Sequence, residues 1–259
     1  MSRSAFPAFD RETCLDYFRR LIAVDSTTGQ YEELQALLCR MLTELGCPYR
    51  VTRKGGVIAD LGGEGNALAV AVHLDDIGLM VRKVNADGSL NVCPVGGLYP
   101  CYCVTENVRV YTRGGQVYTG TVCRTPNSIH VTEEELRVTP PDFRTNVCVV
   151  LDAAVRSAAD TEARGITTGD MIALEPRFTL AGDYLKSRFI DDKAPAAVLL
   201  AAMKALKEGG FSLPGRFTPT SHSMRRSATG PRCCRRTSAT CLPWTSPPRG
   251  RTRPPTNRR

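Results

Sequence analysis

Residues 188–206 read RFIDDKAPAAVLLAAMKAL and set two adjacent carboxylates, Asp191 and Asp192, at the mouth of an apolar helix. A helix N-terminus favours an aspartate at the cap and in the first turn, which accounts for one of them. Two side by side repel each other and lose hydration unless a cation offsets both costs. A carboxylate able to bridge two metal ions accounts for the pair better.

Upstream, residues 66–76 read NALAVAVHLDD, an almost continuous apolar run ending in polar residues. Such a run is expected for a strand buried on both faces in an α/β layer, with function at its carboxyl end. His73 falls at that end and Asp75 two residues later, so the imidazole can bind a metal while a carboxylate fixes its tautomer. On either side of this strand the pattern is simple. Residues 10–24 and 30–45 have helical periodicity and are separated by DSTTGQ, which supplies stop and cap residues. Residues 49–63 alternate around Gly55-Gly56 as a hairpin.

From residue 79 the character changes to short alternating segments broken by Asp-Gly, Gly-Gly and Pro. They predict a β-barrel-like insertion over 79–163, between a first part of an α/β domain at 1–78 and a second at 164–216.

Composition limits the function classes. The chain has 259 residues and a formal charge of +8, but residues 217–259 hold ten arginines, no lysine and no acid. Removing those ten charges leaves −2 for residues 1–216, so the body is not marked as a nucleic-acid binder. No apolar run has the length of a signal peptide or a membrane span. The eleven cysteines lie mostly in apolar segments and are expected to be reduced. Cys93, Cys101 and Cys103 lack a second pair at ligand spacing, which favours strand packing over a zinc cluster.

HLDDIGLMV, VNADGSLNVCPVGG, GDMIALEPRF and KSRFIDDKA, in that order, resemble the glutamyl aminopeptidase (cellulase M) family of dinuclear metallo-aminopeptidases, which includes the tetrahedral and deblocking aminopeptidases. The resemblance covers roughly residues 10–216. It implies an α/β/α sandwich of the zinc exopeptidase type with an inserted dimerisation domain, a cytoplasmic homo-oligomer acting on peptides, and two divalent ions of zinc, cobalt or manganese. It makes His73 a metal ligand, Asp191 the carboxylate bridging both metals, and Asp75 the catalytic acid beside the site. Asp192 shapes the backbone there, and Asp76 replaces the family's usual Glu.

The family also needs a Glu-Glu pair soon after the Asp191 helix, then a further Asp and a His. After Glu208 this sequence contains no acidic residue. The genetic code offers a reason. Let each codon take the last base of one written codon and the first two of the next. Residues 223–231 then permit Tyr-Glu-Glu-Val-Gly-His-Gly-Ala, with Met224–Arg225 restricted to Glu or Ala. Cys233–Cys234 forces Leu and Trp244–Thr245 forces Asp, the latter after a permitted Leu-Leu-Ala-Val. Residues 217–259 are therefore expected to be an out-of-frame, disordered segment, and the chain as written to be inactive. A competing reading makes the chain a degenerate scaffold whose arginine-rich tail binds nucleic acid; the shifted register explains the tail with fewer assumptions.

Overall fold

The computed structural model describes residues 10–63, 66–128, 130–210, 217–222 and 240–243. Helix α1 (Arg11–Ile22) starts where Asp10 accepts the amide of Thr13 at 3.1 Å, and it buries Cys14, Tyr17, Phe18 and Leu21 along one stripe. Helix α2 (Glu32–Glu44) buries Leu34, Leu38, Met41 and Leu42 at the same helical spacing. Strands β1 (Tyr49–Val51) and β2 (Val57–Ala59) form the expected antiparallel hairpin. Strand β3 (Leu68–His73) then runs inside the sheet, paired on both edges, and ends at His73. Of its residues only Val72 is buried and the others are half-buried, less than the two-sided burial expected for so apolar a run.

The inserted unit is a closed barrel. Its strands are β4 (Gly78–Val84), β5 (Leu90–Val95), β6 (Asn107–Tyr111), β7 (Val117–Arg124), β8 (Val147–Leu151) and β9 (Met171–Leu174), in the order β4-β5-β8-β7-β6-β9. Short helices α3 (Glu134–Val138) and α4 (Ala158–Glu162) flank β8. Alternate residues point inward, as a barrel requires: Leu79 and Val81, Leu90 and Val92, Val108 and Val110, Ile172 and Leu174 are all buried in one apolar cluster. At Gly120 a Cβ would lie 2.5 Å from the Val150 carbonyl oxygen, so the β7–β8 contact admits only glycine. The barrel ends at Leu174, beyond the boundary expected at residue 163. Strand β9 closes it by pairing with both β4 and β6.

From the barrel the chain passes through a hairpin of β10 (Thr179–Ala181) and β11 (Tyr184–Lys186) into α5 (Ile190–Glu208). Asp191 and Asp192 have non-helical backbone angles, so regular helix begins only after them. Pro195 then falls in the first turn, where its missing N–H costs nothing. Helices α1, α2 and α5 pack together on the sheet in a single core that includes Phe18, Leu21, Leu38, Met41, Val72, Leu200 and Met203.

Strands β12 (Phe217–His222) and β13 (Thr240–Pro243) complete a sheet of order β1-β2-β12-β3-β13. Both run parallel to β3, and β12 runs antiparallel to β2. These ten residues differ from the disorder expected of 217–259; the remainder of that segment lies outside the described residues.

Barrel and α/β layer are joined by charge. Arg109 on β6 grips Asp25 through two hydrogen bonds of 2.5 and 2.6 Å, and Tyr111 donates a third at 2.6 Å. The Asp25 side chain is only 8% exposed, so these three donors offset the cost of burying it. Arg109→Ala is expected to lower stability by about 2 kcal/mol in urea unfolding. Arg109→Lys recovers only part, because an ammonium cannot make the two-pronged contact.

Candidate metal centre

Strand β3 and the first turn of α5 bring the sequence-identified residues together. His73 Nε2 lies 3.0 Å from Asp191 Oδ1. On the other side of the ring, Nδ1 lies 3.1 Å from the Asp75 carbonyl oxygen and 3.5 Å from Asp75 Oδ1. The backbone N–H of His73 donates to Asp192 Oδ2 at 3.3 Å, tying the strand to the start of the helix. The Asp191–Asp192 peptide bond is cis. The Asp191 side chain is 82% exposed, whereas that of Asp75 is fully buried, so one carboxylate is open to an incoming ion and the other works from behind.

The electrostatics follow from that placement. Burial alone would pull the His73 pKa down, but the Asp75, Asp191 and Asp192 carboxylates outweigh it and hold the pKa above its ordinary value. Burial pushes Asp192 up, opposed by the His73 amide. An imidazole nitrogen and a carboxylate oxygen facing each other at about 3 Å are spaced as two donors on one divalent ion, and the donor types suit zinc, cobalt or manganese. The pair therefore fits part of a metal site. Among the described residues no group of three His, Cys, Asp or Glu side chains could hold an ion. Cys93 is half-buried, Cys101 exposed and Cys103 buried, all as free thiols.

Sequence reasoning missed the support beneath the site. Lys193 is buried with its ammonium 2.6 Å from Asp76 Oδ2 and 3.1 Å from the Val24 carbonyl oxygen. Ser26 Oγ donates to the same Asp76 oxygen at 2.9 Å and Thr28 Oγ1 to Asp75 Oδ2 at 2.7 Å. The DSTTGQ segment reads as helix punctuation, yet it supplies the hydroxyls under HLDD. A lysine directly after an Asp-Asp pair was the available sign of an internal cation.

Comparison with known proteins gives this geometry a family. Residues 55–218 match the M42 glutamyl aminopeptidase family, and the chain belongs to it. It is 30% identical over 203 residues to the YhfE protein of Bacillus subtilis (strain 168), covering 77% of this chain and 58% of that one. A TET aminopeptidase from Thaumarchaeota archaeon SCGC AB-539-E09 superimposes with a TM-score of 0.72 at 19% identity, over 80% of this chain and 58% of that one. Pyrococcus horikoshii TET1 peptidase, which can assemble into a tetrahedron or a large octahedral shell, gives 0.68 at 21% identity, over 80% and 60%. These likenesses establish an α/β fold with an inserted barrel. The chain spans little more than half the length of the curated relatives it matches.

Burial drives the Asp76 pKa up to about 6, against the pull of Lys193 and Ser26. Because the folded pKa stands above the ordinary carboxyl value of 3.8, the contribution of Asp76 to stability is full below that value and is lost as pH rises through about 6. Lys193→Met leaves the carboxylate buried without its counter-ion and is expected to cost about 3–5 kcal/mol at neutral pH. The loss shrinks at about pH 4, where the carboxyl is neutral in both proteins. Urea unfolding at the two pH values checks this.

Proposed function

We propose that this chain carries part of a metal-dependent aminopeptidase centre that removes N-terminal residues from peptides. The convergence of His73 Nε2 and Asp191 Oδ1 at 3.0 Å, from segments 118 residues apart, is the observation that supports it. Two divalent cations, when bound, supply polarisation of the peptide carbonyl and a water of lowered pKa. His73 would offer them a nitrogen donor and Asp191 a carboxylate. Asp75 holds the far side of the imidazole. Asp192 accepts the His73 amide and fixes the helix start against the strand end, and Lys193 with Asp76 anchors the same junction from below.

A general base is needed to take the proton of the attacking water, and the sequence has no acid after Glu208 to serve. We read residues from about 217 onward as translated out of frame. The support is the codon register alone, which over residues 240–245 permits Leu-Leu-Ala-Val before a forced Asp. On this reading the chain as written is inactive, and its one-base-shifted counterpart is a cytoplasmic homo-oligomer that associates through the barrel. The description of Pyrococcus horikoshii TET1 supports assembly. No described helix is long and apolar enough to cross a membrane.

Purified 259-residue chain is expected to leave aminoacyl nitroanilides uncleaved in the presence of zinc, cobalt or manganese. A gene repaired by one base before codon 224 is expected to encode the Glu-Glu pair and to cleave them, and His73→Ala in that repaired protein to remove activity. Cleavage at comparable rates by written and repaired chains would sink the reading.

A further inference from the structure

Strands β7 and β8 set two thiols opposite each other. In their antiparallel ladder Cys123 pairs with Cys148, between the pairs Val122–Val149 and Arg124–Val147. Val122 and Val149 are fully buried inside the barrel, so by the alternation of a strand Cys123 and Cys148 share its outer face. The Thr125 N–H donates to the Asn146 carbonyl oxygen at 2.8 Å, and the Asp152 N–H to the Thr119 carbonyl oxygen at 2.9 Å. Hydrogen-bonded pairs alternate along such a ladder, and Cys123–Cys148 falls in step with these two. A pair of that kind has its Cα atoms about 5.5 Å apart, inside the span of about 4.4–6.8 Å that a disulfide bridges.

Both thiols are free, and they differ in exposure. Cys148 is buried, with Thr125 Oγ1 3.3 Å from its sulfur, whereas Cys123 is half-buried and partly open to solvent. Burial raises the Cys123 pKa and the neighbouring Cys148 raises it further, as expected of two sulfurs within electrostatic reach of each other. On its other side Cys148 faces Asn91 of β5. Cys93 lies two residues further along that strand, with its sulfur 3.7 Å from the Met80 carbonyl oxygen. Among the described residues, Cys123 is therefore the thiol that Cys148 meets across the ladder.

We propose that Cys123 and Cys148 are a redox-responsive dithiol, oxidised by hydrogen peroxide to a disulfide across β7 and β8. The Cys123 thiolate attacks one peroxide oxygen. An S–O bond forms, the O–O bond breaks, and hydroxide leaves and takes up a proton as water. The Cys148 sulfur then attacks the sulfenic sulfur. The S–S bond forms, the S–O bond breaks, and the second oxygen leaves as water with the Cys148 proton. The two thiols lose two electrons and the peroxide gains them. The disulfide ties together both ends of the excursion 124–147, which carries α3 and folds back so that the Arg124 guanidinium donates to the Thr139 carbonyl oxygen at 2.6 Å. None of this depends on the metal centre.

Peptide mapping tests it. The 259-residue chain is treated with hydrogen peroxide at about pH 8.5, near the ordinary thiol pKa. Its remaining thiols are blocked with N-ethylmaleimide, and it is digested with trypsin without reductant. Residues 114–124 and 145–156 are tryptic peptides with one cysteine each. Mass spectrometry is expected to find them as one linked species, lighter than the two peptides by two hydrogen atoms and separated again by dithiothreitol. After the same exposure, Cys148→Ser is expected to leave Cys123 as a sulfenic acid that dimedone traps. Cys123→Ser is expected to leave the buried Cys148 to the maleimide. Recovery of both cysteines of the parent as separate maleimide adducts would overturn the proposal. So would linkage of either to other cysteines in equal yield, or a link that forms equally well in the urea-unfolded chain, since the barrel would then not direct it.

Discussion

The ammonium of Lys193, sealed 2.6 Å from Asp76, is the contact on which the centre depends. It sits where the end of the central strand meets the start of α5, and it draws in Ser26 and the Val24 carbonyl oxygen from the end of α1 and the loop beyond it. At neutral pH each charge offsets the cost of burying the other. Burying an ion without its partner costs several kcal/mol, so the pair enforces a single arrangement of three segments distant in sequence. The groups above it, half-buried His73 and exposed Asp191, inherit their separation from that arrangement, whose rigidity comes from the buried ion pair.

The barrel participates in the same network. Arg109 and Tyr111 hold Asp25, and Ser26 and Thr28 just beyond it carry the hydroxyls and backbone groups that meet Asp75 and Asp76. The inserted unit is thus fastened to the floor of the centre as well as being connected through the chain at Gly78 and Leu174. An ion pair made by two hydrogen bonds and a phenol resists rotation better than a flexible linker.

Much of this was readable in the residues. Helices α1 and α2, the β1–β2 hairpin and the run ending at His73 all follow from periodicity and turn residues, because each is decided locally. His73 and Asp191 stand out in the sequence by their chemistry, and the structure brings their side chains within 3.0 Å. What escaped were long-range pairings. Met171–Leu174 gives the same short-strand pattern whether it belongs to barrel or sandwich, and only its pairing with β4 and β6 decides. The burial of Lys193 was hidden for a related reason. A lysine in a helix's first turn is ordinarily solvated, and only the tertiary approach of Asp76 makes its interior position tolerable. Thr28 was read as helix punctuation because its partner lies 47 residues away.

The sheet order carries a consequence for how the molecule is made. Every described hydrogen-bonded ladder along the central strand is formed with β12 or β13, and none with an element preceding residue 217. During synthesis the helices and the barrel can assemble from segments already emerged, while β3 waits with both of its backbone edges bare until residues 217–243 leave the ribosome. A bare apolar strand is a template for pairing with a neighbour's strand. Residues 217–243 thus bear on more than the sheet's order: with both edges of β3 left open, a nascent chain becomes a client of chaperones and proteases.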